Sequence, residues 1–234
     1  MKKQSISKIL KTEQKYLDNG YDFVIGIDEA GRGPLAGPVV ACAVCYRNGG
    51  SASIMEAEPP KRFESIKDSK KLSEKQREEL YDFIHEHFHV GIGICDHKTI
   101  DRINILEATY LSMKKALTFL TSDVRMNKMI VLVDGNKVIP NCSYEQKAIV
   151  NGDNIVKSIS AASIIAKVTR DRMMKKMHDK YPKYNFASHK GYGTKLHMEM
   201  IKKHGACEIH RKSFRPCNLK RVSSARHSER NRVR

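Results

Sequence analysis

The sequence predicts an α/β fold, one layered domain in which a mixed sheet is flanked by helices and the C-terminal portion is helical. Three observations predict it. Short β-branched runs of strand length recur at residues 23–27, 39–44, 90–94 and 129–133. Between and after them, apolar residues recur at helical spacing. No repeat of 20–50 residues is visible and no long Pro/Ser linker divides the chain, so early strands followed by alternating helices and strands belong to one packed unit.

In chain order, residues 1–20 form a basic N-terminal segment. Lys2 and Lys3 are followed by Lys8, Lys11, Glu13 and Lys15 instead of an apolar core, so no secretory signal and a cytoplasmic location are expected. The first strand, 23–27, delivers Asp28 and Glu29. The second, 39–44, leads into Cys45; Cys42 and Cys45 are an odd number of residues apart, so in a strand their sulfurs face opposite ways and do not share a zinc ion. Residues 49–60 hold Gly-Gly and Pro-Pro pairs and read as a loop. Ser73-Glu74-Lys75-Gln76 is a capping-box pattern that opens a helix to about His87, with Leu80, Phe83 and Ile84 on one face. A strand at 90–94 precedes a helix at 105–120 with Leu106, Tyr110, Met113, Leu117 and Leu120 in a stripe. After the strand at 129–133, a long helix spans 159–178 with Ile164, Ile165, Val168 and Met174 apolar. The final stretch, 219–234, carries six basic residues against one acid and little apolar content, and reads as a disordered basic tail.

The 234 residues are 40% hydrophobic, too apolar for a disordered chain, and contain no run near the roughly 20 apolar residues needed to cross a bilayer. Six cysteines suit a reducing compartment. Cys207 and Cys217 with His204 and His210 supply four possible zinc ligands, at a spacing that matches no familiar finger. A net charge of +17 attracts polyanions, nucleic acid first.

Against that charge, two segments stand out. Val24-Ile25-Gly26-Ile27-Asp28-Glu29 and Ile130-Val131-Leu132-Val133-Asp134-Gly135 each end a buried-looking strand with a carboxylate. An Asp after a strand is often a turn or cap. Two parallel strands, however, would bring Asp28 and Asp134 to the carboxyl edge of a sheet, where ligands of α/β proteins bind. Clustered acids repel each other and a phosphate alike unless compensated, most simply by hard divalent ions such as Mg²⁺ or Mn²⁺. This predicts metal-dependent phosphoryl transfer on nucleic acid. The following residues, from Ala30 through Gly31, Arg32 and Gly33 to Pro38, are rich in glycine and suit a nest of N–H groups around a sugar-phosphate chain.

The chain resembles the ribonuclease HII family, the type 2 ribonucleases H. The resemblance lies in Asp28-Glu29-Ala30-Gly31-Arg32-Gly33-Pro34, Asp68-Ser69-Lys70-Lys71-Leu72, Val133-Asp134-Gly135-Asn136, Asn151-Gly152-Asp153, and the run from Ser160 to Asp171. Lys190-Gly191-Tyr192-Gly193-Thr194 and His210-Arg211-Lys212-Ser213-Phe214 complete it, in the family's order over about 21–216. Asn151 departs from the pattern, since Lys is usual before the Gly-Asp pair.

The resemblance implies a ribonuclease H-like fold over 21–218. It implies an endonuclease that cuts the RNA strand of RNA–DNA hybrids and incises 5′ of single ribonucleotides in duplex DNA. The products carry 3′-hydroxyl and 5′-phosphate ends, and the mechanism uses two metal ions, Mn²⁺ or Mg²⁺. Asp28, Glu29, Asp134 and Asp153 are then the catalytic metal ligands, while Gly31, Arg32 and Gly33 surround the ribose whose 2′-hydroxyl marks RNA. Tyr192 packs on the sugar just 3′ of the ribonucleotide, and Lys70 holds the phosphate backbone. The partners are RNA–DNA hybrid and ribonucleotide-containing duplex, met by a monomer away from membranes. Adjacent strand residues face opposite ways, so Asp28 and Glu29 share a site only if the strand has bent at Glu29. Asp171 competes with Asp153 for the fourth place; Lys167 and Lys175 at i±4 give it an ion-pairing role, whereas Asp153 is expected in a loop with no cation beside it. A noncatalytic basic RNA-binding protein and a ribonuclease H-like junction resolvase are the alternatives; the first leaves the strand-end acids unexplained, the second the Gly-Arg-Gly loop.

Overall fold

A computed structural model describes residues 11–47, 61–122 and 128–217. The expected loop at 49–60, the first ten residues and the tail at 219–234 lie outside the described residues.

The described chain runs α1 (Lys11–Asp18), β1 (Phe23–Ala30), β2 (Val39–Tyr46), two 3₁₀ turns (Lys61–Ser65 and Ser69–Lys71) and α2 (Glu74–His87). Next come β3 (Phe88–Cys95), α3 (His97–Ile103), α4 (Ile105–Ser122), β4 (Met129–Asp134) and β5 (Glu145–Ile149). The C-terminal portion is helical, with α5 (Gly152–Ile155), α6 (Lys157–Lys180), a 3₁₀ turn (Pro182–Tyr184), α7 (Phe186–His189) and α8 (Lys195–His204). The sheet order is β3-β2-β1-β4-β5. Pairing is antiparallel from β3 through β2 to β1, and parallel from β1 through β4 to β5. This is the mixed sheet that the sequence predicts.

Strand pleating sorts the core into two layers. On one face Ile25, Ile27, Ala41, Ala43, Cys45, Val131 and Val133 meet Tyr110, Met113, Ala116, Leu117 and Leu120 of α4. On the other, Val40, Cys42 and Val44 meet Ala161, Ala162 and Ile165 of α6, with Leu80, Phe83 and Ile84 of α2 beyond. Cys42 and Cys45 thus lie on opposite faces, as their odd spacing requires. The capping box at Ser73 is present in both its hydrogen bonds.

Two features set where α6 lies. A Cβ on Gly26 would meet Ser158 C at 2.2 Å and Ile159 N at 2.3 Å, so α6 comes down on β1 only because that position is glycine. The start of α6, capped locally by the apolar Val156, receives its acceptor from elsewhere. Buried Glu13 of α1 accepts the Ser158 N–H at 2.8 Å and the Ser158 hydroxyl at 3.1 Å. No helix among the described residues is long and apolar enough to cross a membrane.

Candidate active site

Parallel pairing of β1 with β4 ends at Ile27 opposite Val133, so the next residues in register are Asp28 and Asp134. Both continue the alternation that faces α6, and they meet at the carboxyl edge of the sheet. Asp28 is buried and accepts the Glu29 N–H at 2.7 Å, and the Ser163 hydroxyl of α6 also favours its ionised form. Burial first, then the charges of Glu29 and Asp134, hold its carboxyl well above the usual range.

The ladder to β2 continues through Glu29 to Ala30, opposite Val40. What opens the edge is the end of β4, after which Glu29 has no paired residue on that side. Its carboxylate bonds Arg32 Nη1 at 3.1 Å; burial and Asp134 raise its pKa while Arg32 opposes them.

Asp153 lies in the short helix α5, and its N–H donates to Asp134 Oδ1 at 3.3 Å. Burial and the Asp153 charge push Asp134 up. The expectation that Asp153 has no cation beside it is corrected: Lys70 Nζ is 3.2 Å from its Oδ2. Sequence distance hides this contact, because Lys70 arrives on a separate 3₁₀ turn, capped by Asp68 through the Lys70 N–H at 2.9 Å. Burial alone would lower the Lys70 pKa, but Asp153, Asp68 and Asp28 outweigh it and raise it. Asp171, in contrast, is buried along α6 and bonds Lys167 at 2.8 Å, and Lys175 turns instead to Glu74.

The donors are all hard carboxylate oxygens, the set that suits Mg²⁺ or Mn²⁺. Two of the acids are paired with cations, Glu29 with Arg32 and Asp153 with Lys70. The inner two, Asp28 and Asp134, have only neutral hydrogen-bond donors among the described bonds, and burial first, then the neighbouring acids, raises both pKa values, with Lys70 opposing the rise at Asp134. Among the described residues, no three His, Cys, Asp or Glu side chains are already drawn to cation-binding spacing. The residues fit a divalent ion in chemistry and charge, with Arg32 and Lys70 as the present counter-charges.

Beside the acids lies the glycine loop, and two arginines hold it from behind. Arg211 and Arg170 are nearly inaccessible, at 0% and 1% exposure. Arg211 donates to the carbonyls of Gly37 (3.0 Å), Arg32 (2.9 Å), Pro38 (3.1 Å) and Gly31. Arg170 donates to Pro38 (3.0 Å) and Ala36 (3.1 Å). Burial, then the neighbouring Arg170, pull Arg211 down to about 9, which leaves it charged at neutral pH. In a trans peptide the carbonyl and the next N–H point opposite ways, so with the Gly31 and Arg32 carbonyls turned to Arg211, the N–H groups of Arg32 and Gly33 turn outward, away from it. Gly31 has φ +100°, and a Cβ there would lie 2.2 Å from Arg170 Nε. Sequence reasoning missed this clamp, because a buried arginine reads like a surface one.

Tyr192, 43% exposed, closes the other side. Its ring edge is 3.9 Å from where a Gly33 Cβ would stand, and Lys167 Nζ and Arg170 Cζ each lie 5.8 Å from its centroid. The four acids, the Gly31–Gly33 loop, Lys70 and Tyr192 are therefore adjacent on one edge of the molecule.

A family model described as Ribonuclease HII matches residues 25–217. The ribonuclease HII of Fusobacterium nucleatum is 52% identical over 198 residues, 84% of this chain and 87% of that protein. The ribonuclease HII of Caldicellulosiruptor bescii is 48% identical over 203 residues, 86% and 91% of the two chains. The crystal structure of the ribonuclease H2 from Pyrococcus horikoshii aligns with a TM-score of 0.62 at 31% identity, covering 84% of this chain and 95% of that one. With this sheet, these strand-end acids and this extent of likeness, the chain belongs to the ribonuclease HII family of metal-dependent endoribonucleases.

Proposed function

We propose that the protein cuts the RNA strand of RNA–DNA hybrids and incises on the 5′ side of single ribonucleotides embedded in duplex DNA, leaving 3′-hydroxyl and 5′-phosphate ends. Asp28, Glu29, Asp134 and Asp153 hold two divalent ions, Mg²⁺ or Mn²⁺. The catalytic unit spans 21–218 and acts as a monomer in the cytoplasm. The observation that carries this reading is the placement of Asp28 and Asp134 at one edge of neighbouring parallel strands, with Glu29 and Asp153 beside them, next to the glycine loop and an exposed tyrosine in a protein of net charge +17.

Held by these four carboxylates, such ions would supply neutralisation of the phosphodiester, a more acidic water and charge stabilisation for the leaving 3′ oxygen. The chain's own residues do the rest. The N–H groups of Arg32 and Gly33 meet the ribose, where the 2′-hydroxyl distinguishes RNA from DNA. Tyr192 packs its ring on the next sugar, and the cations Lys167 and Arg170 near it hold its position. Lys70, largely exposed above Asp153, exchanges that carboxylate for a backbone phosphate. A gel assay tests the reading: duplex DNA with one ribonucleotide, the same duplex all in DNA, and a continuous hybrid are each incubated with Mg²⁺, Mn²⁺ or chelator. Metal-dependent cutting of the first and third but not the second is expected; cutting of all-DNA duplex, or binding without cutting, would reject it.

A further inference from the structure

Behind Tyr192 lies a cluster of buried histidines that the reaction does not use. His197, in the first turn of α8, and His210 are both fully buried. Their Nε2 atoms are 3.0 Å apart. The bonds around them allow one arrangement of protons. His197 Nδ1 lies 2.8 Å from the Tyr192 carbonyl, an acceptor, so it carries the proton. Nε2 of a neutral His197 then accepts, so His210 donates from its own Nε2. His210 Nδ1 is left to accept, and the Cys207 N–H donates to it at 2.9 Å. A proton added to either ring would set one N–H against another, and burial pushes both pKa values down to about 4. His189 stacks on His197 at 4.4 Å, and Tyr184 and Phe186 pack about His210. Both ring nitrogens of His210 are thus occupied, Nδ1 also lying 3.1 Å from the Cys207 thiol, and among the described residues no three His, Cys, Asp or Glu side chains are grouped to hold a metal.

The far end of this chain is anchored in the glycine loop. His210 forms a β-bridge with Ala36, and its neighbours continue it: the Gly37 N–H donates to Ile209 and the Arg211 N–H to Leu35. The Leu35 N–H in turn donates to Gly191, next to Tyr192. The imidazole pair, together with the His210 backbone, therefore links the backbone of the loop to the backbone of the tyrosine.

We propose that His197, linked through His210 to the Gly31–Pro38 segment, is a positioning residue that sets the distance of Tyr192 from the glycine loop and thereby the incision rate at a lone ribonucleotide. This rests on the reading of Tyr192 given above. The pair touches no substrate and acts through the tyrosine carbonyl. Its removal should leave duplex binding in place and slow the step that needs the sugar seated between Gly33 and Tyr192.

The test is steady-state kinetics on a duplex with one ribonucleotide and on a continuous hybrid, for wild type, His197→Phe, His197→Asn, Tyr192→Ala and the double variant Tyr192→Ala/His197→Phe. His197→Phe should lower kcat on the single-ribonucleotide duplex by about tenfold, with KM within about twofold of wild type and a smaller loss on the hybrid. His197→Asn, which keeps an N–H near the position of Nδ1, should recover most of the rate. In the Tyr192→Ala background His197→Phe should add no further loss. Equal losses on both substrates, no recovery by Asn, or losses that add fully to Tyr192→Ala would overturn the proposal. Should His197→Phe melt too low to assay, His210→Phe carries the same expectations and the same overturning results. If Tyr192→Ala itself affects both substrates equally, the reading of Tyr192 fails first; if it is selective and the histidine variants are not, only the positioning proposal fails.

Discussion

Asp28 and Asp134 occupy matching positions on neighbouring parallel strands, and burial, then the charges of Glu29 and Asp134, disfavours the ionised Asp28 before any metal binds. The Asp28 pKa is raised above its ordinary 3.8, so the unfolded chain gives up that proton first and the folded state holds it longer. Stability contributed at this position therefore falls as pH rises from about 3.8 toward neutrality. Asp28→Asn should raise the melting temperature at pH 7 in chelator and abolish the further rise that Mg²⁺ or Mn²⁺ gives wild type; a lower melting temperature in chelator would contradict the repulsion. Asp134→Asn should eliminate cleavage while gel-shift affinity for the hybrid persists, because an amide is a poor hard-metal ligand and the phosphate contacts remain. Asp153→Asn should lower the rate by orders of magnitude at near-normal melting temperature. Asp171→Asn, which strips a buried acid from Lys167, should mainly cost stability; a stably folded but inactive Asp171→Asn beside an active Asp153→Asn would reverse that assignment. At this scale the sequence was readable where an acid ends an apolar strand. It was silent on Lys70 meeting Asp153 and on Arg170 and Arg211 behind the loop, since those contacts join residues 83 to 180 positions apart.

Among the elements, β1, β2, β3, β4, α2, α4 and α6 were legible because each buries a face large enough to imprint its period on the chain. The edge strand β5, Glu-Gln-Lys-Ala-Ile, is only partly buried and reads as polar, and α1 buries little beyond Glu13, so neither left a hydrophobic pattern. The contact of α6 on β1 is the one on which the site depends, because it carries Ser163 to Asp28. Gly26→Ala forces a Cβ into the α6 backbone, which flexible side chains cannot relieve. It should destabilise the protein by about 3 kcal/mol or more in urea unfolding, at the upper end of overpacking costs. A change below about 0.5 kcal/mol would show that α6 shifts freely.

Over the whole molecule, net charge and the buried histidines set the response to salt and acid. His197 and His210 have pKa values near 4 against an ordinary 6.5, so the unfolded chain takes up protons that the fold refuses. Stability should be lost as pH falls from 6.5 toward 4, with a slope of up to roughly 2.7 kcal/mol per pH unit for two protons. Urea unfolding of wild type and His197→Phe across that range checks it: the raised carboxylates oppose the slope in both proteins, so the variant should lose stability less steeply as pH falls. The segment 219–234 adds five net positive charges. Removing it should weaken hybrid binding and flatten the slope of log affinity against log salt, since fewer counterions are released.

The function proposed for these acids and this loop is cutting at a ribonucleotide and nowhere else. Its most direct test is mass spectrometry of the products from a DNA duplex holding one ribonucleotide, incubated with wild-type protein and Mg²⁺ or Mn²⁺. The prediction is a single cut on the 5′ side of that nucleotide, with a 3′-hydroxyl on one fragment and a 5′-phosphate on the ribonucleotide. A cut on its 3′ side, a 2′,3′-cyclic phosphate end, or an intact duplex would contradict it.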